Sequence, residues 1–451
     1  MTTTKIIAID DDPTGSQTVH GCLLLTRWDV RTLTRALQDE SPVFFVLSNT
    51  RGMDAQRAAA VTRDICVNLR LALADLEAAG TPVRPVIVSR SDSTLRGHYP
   101  VETDVIAAEL GPFDAHFLVP AFFEGGRITR DGTHYLMVDD PGGSRPVPVH
   151  ETEFARDSVF GFSTAFLPDY VEEKTGGRIP AGMVERFGLD HLGGDRDRLQ
   201  ARLMTLDGNT CGAVDAERQA DLDAFAAAVL AATEQGKRFL FRSAASLLTS
   251  LAALPTQPVA PADMGQFTRG DSPEKWPGVV LMGSHVGKSS RQLEHLTANT
   301  DIAALEVDLD RLADADALIA DLIAGVEAAA TEGRGAVLYT SRGEYRFPSK
   351  AERLAFGERV SDLLVRLVQR LPADIGFLIS KGGITSNDTL SKGLALTTAR
   401  VLGQVRAGCS VVRCPADHPR FPELPVVIFP GNVGGDEALT EVYRIMSTAP
   451  Q

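Results

Sequence analysis

The sequence predicts an α/β protein of two domains, each a mainly parallel sheet flanked by helices, with a cleft between them. Three observations carry this. Short apolar runs alternate with long helical patterns, and they do so twice. The runs are apolar at consecutive positions, as in strands covered on both faces. A Pro-rich polar stretch separates the two alternations. At roughly 100–200 residues per domain, the 451-residue chain is long enough for two or three.

In the first half, IIAI (6–9), CLLLT (22–26), VFFVLS (43–48), VIVS (86–89) and FLVP (117–120) read as strands bounded by Asp, Gly, Pro and Asn. Val61, Ile65, Leu69, Ala72 and Leu76 recur every three or four residues, making one apolar helix face that stops at Gly80. Residues 140–200 are irregular and rich in Gly and Pro. Helical composition returns at 215–235 and is followed by FLFRSAASLLTSLAAL. The stretch 255–277 (PTQPVAPADMGQFTRGDSPEKWP) reads as a linker. Beyond it, VVLMGS, ALEVDL, AVLYTS, GFLIS and VVIF read as strands, and Phe356, Val360, Leu363, Leu367 and Leu371 mark a helix. The expected domains are 1–254 and 278–451.

Composition narrows the function. Apolar residues at 44% and charged residues at 23% exclude wholesale disorder. With 45 Lys and Arg against 59 Asp and Glu, the net charge is −14, so no broad nucleic-acid or anionic-membrane surface is expected. No run reaches the roughly 18–20 apolar residues of a membrane helix. The start, MTTTKIIAIDDD, lacks the apolar segment of a signal peptide. Cys22, Cys66, Cys211, Cys409 and Cys414 are scattered, without a second pair or nearby His for a zinc site, and read as buried thiols in a reducing cytoplasm. Nine histidines show no metal-type spacing. Whether the chain forms a homo-oligomer is left open.

Ligands of open parallel sheets bind at the carboxyl ends of the strands. In the first domain these ends carry Asp10-Asp11-Asp12-Pro13-Thr14-Gly15, the turn 48–52 with Arg51, and the turn 89–97 with Arg90, Ser91, Asp92, Ser93 and Arg96. Carboxylates accept hydrogen bonds from sugar hydroxyls, and Arg clamps a carboxylate through two parallel bonds, so a polyhydroxylated acid suits the set. Such residues also serve as helix caps and structural ion pairs; three successive turns of this kind favour a site. In the second domain the ends are 283–289, Lys381-Gly382-Gly383-Ile384-Thr385, and 430–435 with Gly431 and Gly434. Glycine lets the backbone approach a phosphate, and a following helix offers free N–H groups. Thr385 and Ser386 are placed to cap the next helix, and Asp436 the last one.

Two near-matches compete. GSHVGKSS is one residue too short between Gly283 and Gly287 for a Walker A loop, although Lys288 can still meet a phosphate. IIAIDDDPTG fits the start of a haloacid-dehalogenase-type phosphatase with Asp10 as nucleophile and Asp12 as acid/base. No first-domain strand ends in the acidic pair that family also requires.

Taken together, the chain resembles the four-carbon acid sugar kinase family. The resemblance rests on Asp11-Asp12-Pro13-Thr14-Gly15, Asn49-Thr50-Arg51 and Asp92-Ser93-Thr94-Leu95-Arg96-Gly97. It continues through Pro120-Ala121-Phe122, Gly126-Arg127-Ile128-Thr129, Gly132 and Glu151-Thr152-Glu153-Phe154-Ala155-Arg156-Asp157. It implies a tetronate-type acid in the first domain, held at Asp12, Arg51 and the Arg90–Ser93 turn. It implies ATP in the second, held at Ser284, at Gly382 to Thr385, and near Gly431 and Gly434. Three positions depart from the family pattern: Val286 and Ser289 where it has Ser and Thr, Ile384 where it has Asp, and Phe429 where it has Lys. Lys381 is the residue expected to replace the charge lost at Phe429.

The expected reaction is ATP- and Mg²⁺-dependent phosphorylation of a terminal hydroxyl of a short sugar acid, with Asp12 or Asp92 receiving the hydroxyl proton and the domains closing across the cleft. The alternatives are the Asp10/Asp12 phosphatase and a non-catalytic protein that binds acid sugar and nucleotide.

Overall fold

The apolar runs of the first half form strands because consecutive hydrophobic positions need cover on both faces of a sheet. The computed structural model describes residues 2–448 except 141–142, 195, 270–276, 284–286, 343–344, 346 and 432. It divides into two units, Met1–Thr256 and Gln257–Gln451.

The strands of the first unit are β1 (Thr3–Asp10), β2 (Leu23–Leu25), β3 (Val43–Leu47), β4 (Val83–Arg90), β5 (Ala115–Val119), β6 (Arg127–Arg130), β7 (Thr133–Asp140), β8 (Gly143–Pro148), β9 (Glu185–Phe187), β10 (Thr210–Val214) and β11 (Phe239–Ser243). Its helices are α1 (Val30–Leu37), α2 (Ala55–Ala78), α3 (Val101–Leu110), α4 (Leu167–Lys174), α5 (Leu189–Leu192), α6 (Arg196–Met204), α7 (Gln219–Glu234) and α8 (Ala245–Ala252).

Eight strands make an all-parallel sheet in the order β2-β3-β1-β4-β11-β5-β10-β9. The predicted stripe of α2 buries Ile65, Leu69, Ala72 and Leu76 against Ile7, Ile9, Phe44, Val46 and Ile87 of the sheet. Each of the larger side chains contributes about 1.5–3 kcal/mol. Asp54 caps the start of α2, and Gly80, at φ +76°, takes the chain out of it. The irregular stretch holds the end of a small antiparallel sheet, β6-β7-β8, several short 3₁₀ turns, the short helices α4 and α5 and the start of α6, none of which leaves a long periodic signal.

The second unit contains β12 (Val279–Met282), α9 (Gly287–Asn299), β13 (Ala303–Val307), α10 (Ala315–Thr331), β14 (Ala336–Thr340), α11 (Lys350–Arg370), β15 (Leu378–Lys381), α12 (Gly383–Asp388), β16 (Thr398–Arg406), β17 (Cys409–Arg413), β18 (Pro425–Phe429) and α13 (Ala438–Ser447). Its strands run β13-β14-β12-β15-β18-β17-β16; the first five are parallel, and β17 is antiparallel to both neighbours. β16 was not expected, because it is buried mainly at alternate positions and has no continuous apolar run.

Part of the expected linker is structured. Pro261–Phe267 forms a 3₁₀ helix whose Met264 joins the second core with Val280, Phe377 and Val405. The Cβ of any other residue at Gly265 would stand 2.2 Å from the Ile445 carbonyl oxygen. Two expected caps also differ. Thr385 and Ser386 lie inside α12, behind Gly382 at φ +112°. Asp436 pairs with Arg291 at 3.0 Å instead of capping α13. All five cysteines are buried free thiols, and among the described residues no helix is long and apolar enough to cross a membrane.

Candidate active site

Three adjacent strands of the first sheet, β3, β1 and β4, deliver the predicted acid-sugar residues to one place. Their carboxyl-end turns are tied together: Asp11 N–H donates to the Arg90 carbonyl (3.2 Å), Arg51 N–H to the Asp11 carbonyl (3.2 Å), and Ser48 N–H to the Asp10 carbonyl (2.9 Å). Side chains standing on these turns therefore converge.

Arg51 is the hub. Its Nε and Nη2 donate to the two oxygens of Asp11, and its Nη1 lies 3.7 Å from Asp12 Oδ2 and 3.5 Å from Asp92 Oδ1. Burial opposes its charge, but Asp11, Asp12 and Asp92 outweigh burial and hold its pKa well above the ordinary arginine value. Ser91 Oγ also donates to Asp11, at 2.9 Å. Asp12 accepts from the Thr14 N–H (2.9 Å) and hydroxyl (2.6 Å) through Oδ1, leaving Oδ2 on the Arg51 side.

Asp92 is more fully engaged, accepting from Thr94 N–H (3.2 Å), the Thr94 hydroxyl and Arg96 Nε (2.9 Å). Burial would raise its pKa; Arg51 and Arg96, with those hydrogen bonds, hold it well below the usual carboxylate range. The Arg96 guanidinium lies over the Phe154 ring at 4.9 Å, with Nη1 3.8 Å from Asp157. Ser93 contributes its carbonyl to buried His134 Nε2 at 2.7 Å.

Arg90 stands apart from this set. It is buried, with Nη1 3.6 Å from Asp10 Oδ1. Asp10 is 0% exposed, and its Oδ2 has no hydrogen-bond partner among the described residues. Burial pushes its pKa up to about 8, against the pull of Arg90 and with the help of Asp11 and Asp12. A carboxyl with no exposed surface is poorly placed to attack a substrate, which weighs against the phosphatase alternative.

Beneath these residues lies a charged layer that the sequence reading missed. Arg242 Nη1 sits 3.3 Å from Glu102 Oε2, Thr50 Oγ1 donates to Glu102 Oε1 at 2.5 Å, and Arg242 Nη2 donates to the Arg96 carbonyl at 3.2 Å. A Cβ at Gly97 (φ +116°) would collide with Ser91 Oγ at 2.6 Å and Arg242 Nη2 at 2.7 Å. The signal for this layer was an arginine inside the otherwise apolar run FLFRSAAS, which cannot be buried without a partner.

In the second unit, the strand ends of β12, β15 and β18 are neighbours. Lys381 is the register partner of Phe429; its Nζ lies 4.3 Å from the Phe429 ring centroid and donates to the Pro430 carbonyl at 3.3 Å. Lys381 is 0% exposed, so its charge sits beneath the loops. Burial, with Lys288 and Arg342 adding to it, brings its pKa down to about 8, and Cys409 is the opposing influence. Gly283 permits close packing of two loops: a Cβ there would stand 2.4 Å from Thr385 Oγ1. Gln292 Nε2 ties down the last loop through the Val433 (3.1 Å) and Gly435 (2.8 Å) carbonyls. Ile384 is 70% exposed beside Gly383. Gly434 holds φ +76°, and Gly431 has open space around it. Ser284 and Val286 lie outside the described residues.

Residues 6–251 match the model of a sugar-binding N-terminal domain, and residues 279–439 that of a nucleotide-binding C-terminal domain. The class is thus a protein joining a sugar-binding to a nucleotide-binding domain. The chain belongs to the four-carbon acid sugar kinase family. It is 28% identical over 233 residues to a D-erythronate kinase of Heliobacterium modesticaldum, covering 49% of this chain and 47% of that protein. The chain therefore spans about half the length of that curated relative. Two solved structures share the fold: a Haemophilus influenzae protein of a domain family of unknown function (16% identity, TM-score 0.67, 98% and 100% of the two chains) and a Salmonella typhimurium LT2 protein described as a putative tRNA synthase (17%, 0.68, 98% of each).

Proposed function

We propose that the protein is an ATP-dependent kinase that phosphorylates a terminal hydroxyl of a four-carbon or related short sugar acid. The observation that carries this reading is the convergence of Asp11, Asp12, Arg51, Asp92 and Arg96 at three adjacent strand ends of the sugar-binding domain. The name of the Heliobacterium relative makes D-erythronate the first acid to test.

In the reaction, the substrate hydroxyl oxygen forms a bond to the γ-phosphorus, the bond from that phosphorus to the bridging oxygen breaks, and ADP leaves. Positioning and charge neutralisation do most of this work. The hydroxyl proton passes to a carboxylate, and Asp12 suits that role better than Asp92. Asp12 keeps Oδ2 outside the Thr14 bonds, whereas Asp92 is strongly acidic and saturated with donors. Arg51 and Ser91 hold Asp11 and keep the set in register.

The second domain suits a polyphosphate. Lys288 and Arg342 both act on Lys381 electrostatically, and no carboxylate is among the influences on Lys381. Gly382 to Thr385, Gly431 and Gly434 would border the phosphates, with Lys381 supplying charge from below in place of Phe429. Among the described residues no three acidic, His or Cys side chains group as a metal site; Mg²⁺ would arrive held chiefly by the phosphates and neutralise their charge.

The test is a panel of four- to six-carbon sugar acids with ATP and Mg²⁺, following ADP. Acid-dependent ADP formation is expected. Tight binding of acid and nucleotide with no turnover would instead support a non-catalytic sensor.

A further inference from the structure

We propose that Arg127, together with Arg96, is the clamp that reads the carboxylate of the sugar acid, and that Arg51 serves to order the aspartates. This rests on the sugar-acid reading above and assigns a specificity-determining residue within it.

Arg51 is poorly placed to receive another anion. Two of its donors are committed to Asp11, and Asp12 and Asp92 flank the third nitrogen. A substrate carboxylate approaching it would meet three like charges.

Arg127 differs in having a donor still unmatched. It opens β6, just past the carboxyl end of β5, and is half-buried. Its Nη1 donates to the Gly125 carbonyl, while its Nε is buried and finds no hydrogen-bond partner among the described residues. A buried donor of a charged group left unmatched is unfavourable, and a ligand oxygen would satisfy it. The side chain is also held in place. A Cβ at Gly125 would stand 2.2 Å from Nη1 and 2.5 Å from the Phe122 ring, so the glycine is what allows the guanidinium to lie there.

The charges around Arg127 are Asp92, Glu153 and Arg96. Asp92 already accepts from Arg96 Nε, which leaves the outer nitrogens of Arg96 turned away from that bond, its face against Phe154 and Nη1 3.8 Å from Asp157. Arg127 thus lies within electrostatic reach of the Asp92–Arg96 pair.

The decisive experiment measures binding of D-erythronate and of erythritol, which keeps the hydroxyls but lacks the carboxylate, by calorimetry to the full chain and its variants. Arg127→Met is expected to weaken erythronate at least about 10-fold, corresponding to about 1.4 kcal/mol, and to shrink the preference over erythritol by a similar factor. Arg127→Lys should recover only part, since an ammonium cannot bind bidentately. ADP affinity and melting temperature, measured alongside, should stay at parental values and so report an intact fold. Unchanged erythronate affinity and preference in Arg127→Met would overturn the assignment while leaving the kinase reading standing. A parent chain that binds no sugar acid would overturn both.

Discussion

Asp12 and Asp92 face the same arginine, yet their surroundings suit them to different work in the proposed reaction. Asp12→Asn is expected to lower kcat by about 10²–10⁴-fold, the usual worth of a positioned base, with little change in acid affinity. Asp92→Asn should act mainly on acid binding, because it releases Arg51 and Arg96 together. Steady-state kinetics on both variants separates the roles; the reverse pattern would exchange them. Lys381→Met should raise the KM for ATP about 10-fold or more and leave acid binding unchanged, and a parental KM would remove Lys381 from the nucleotide site. Asp10 gives a pH prediction. Its carboxyl stays protonated in the folded chain up to about pH 8 but ionises near 4 once unfolded. The folded state therefore holds the extra proton between those values, and this group lowers stability by about 1.4 kcal/mol per pH unit as pH rises through that window. In Asp10→Asn the melting temperature should fall less between pH 5 and 8 than in the parent; parallel profiles would mean Asp10 is ionised in the folded chain.

At the scale of elements, close packing of turns decides the site. A Cβ at Gly15 would lie 1.8 Å from buried Asp10 Oδ2, so Gly15→Ala must displace either the Asp10 carboxyl or the 11–16 turn that carries Asp11 and Asp12. Overpacking of this kind costs about 1–3 kcal/mol or more, and a melting curve that matches the parent would contradict it. Most elements that build the site were legible in the sequence. Continuous apolar runs marked β1, β3, β4, β12, β15 and β18, and the strand-end rule placed the loops. What stayed hidden depends on partners distant in sequence. Glu102 and Arg242 meet across 140 positions, Arg90 turns to Asp10 rather than outward, and Arg127 matters because its Nε is left without a partner. β16 was missed because alternate burial leaves no apolar run, and part of the linker because Met264 lies hidden among prolines.

The whole molecule carries a net charge of −14, yet gathers arginines at the turns of one unit and lysines and an arginine at the loops of the other. A chain built this way can hold small anions locally without offering a broad polyanion surface. The central claim, that the sugar-binding and nucleotide-binding units serve one phosphoryl transfer, is tested most directly by ³¹P NMR of a reaction containing the protein, D-erythronate or the best acid of the panel, ATP and Mg²⁺. One new phosphomonoester is expected for each ADP formed, dependent on the acid and lost in Asp12→Asn. Inorganic phosphate appearing without a phosphomonoester, or no consumption of ATP with any short sugar acid, would contradict it.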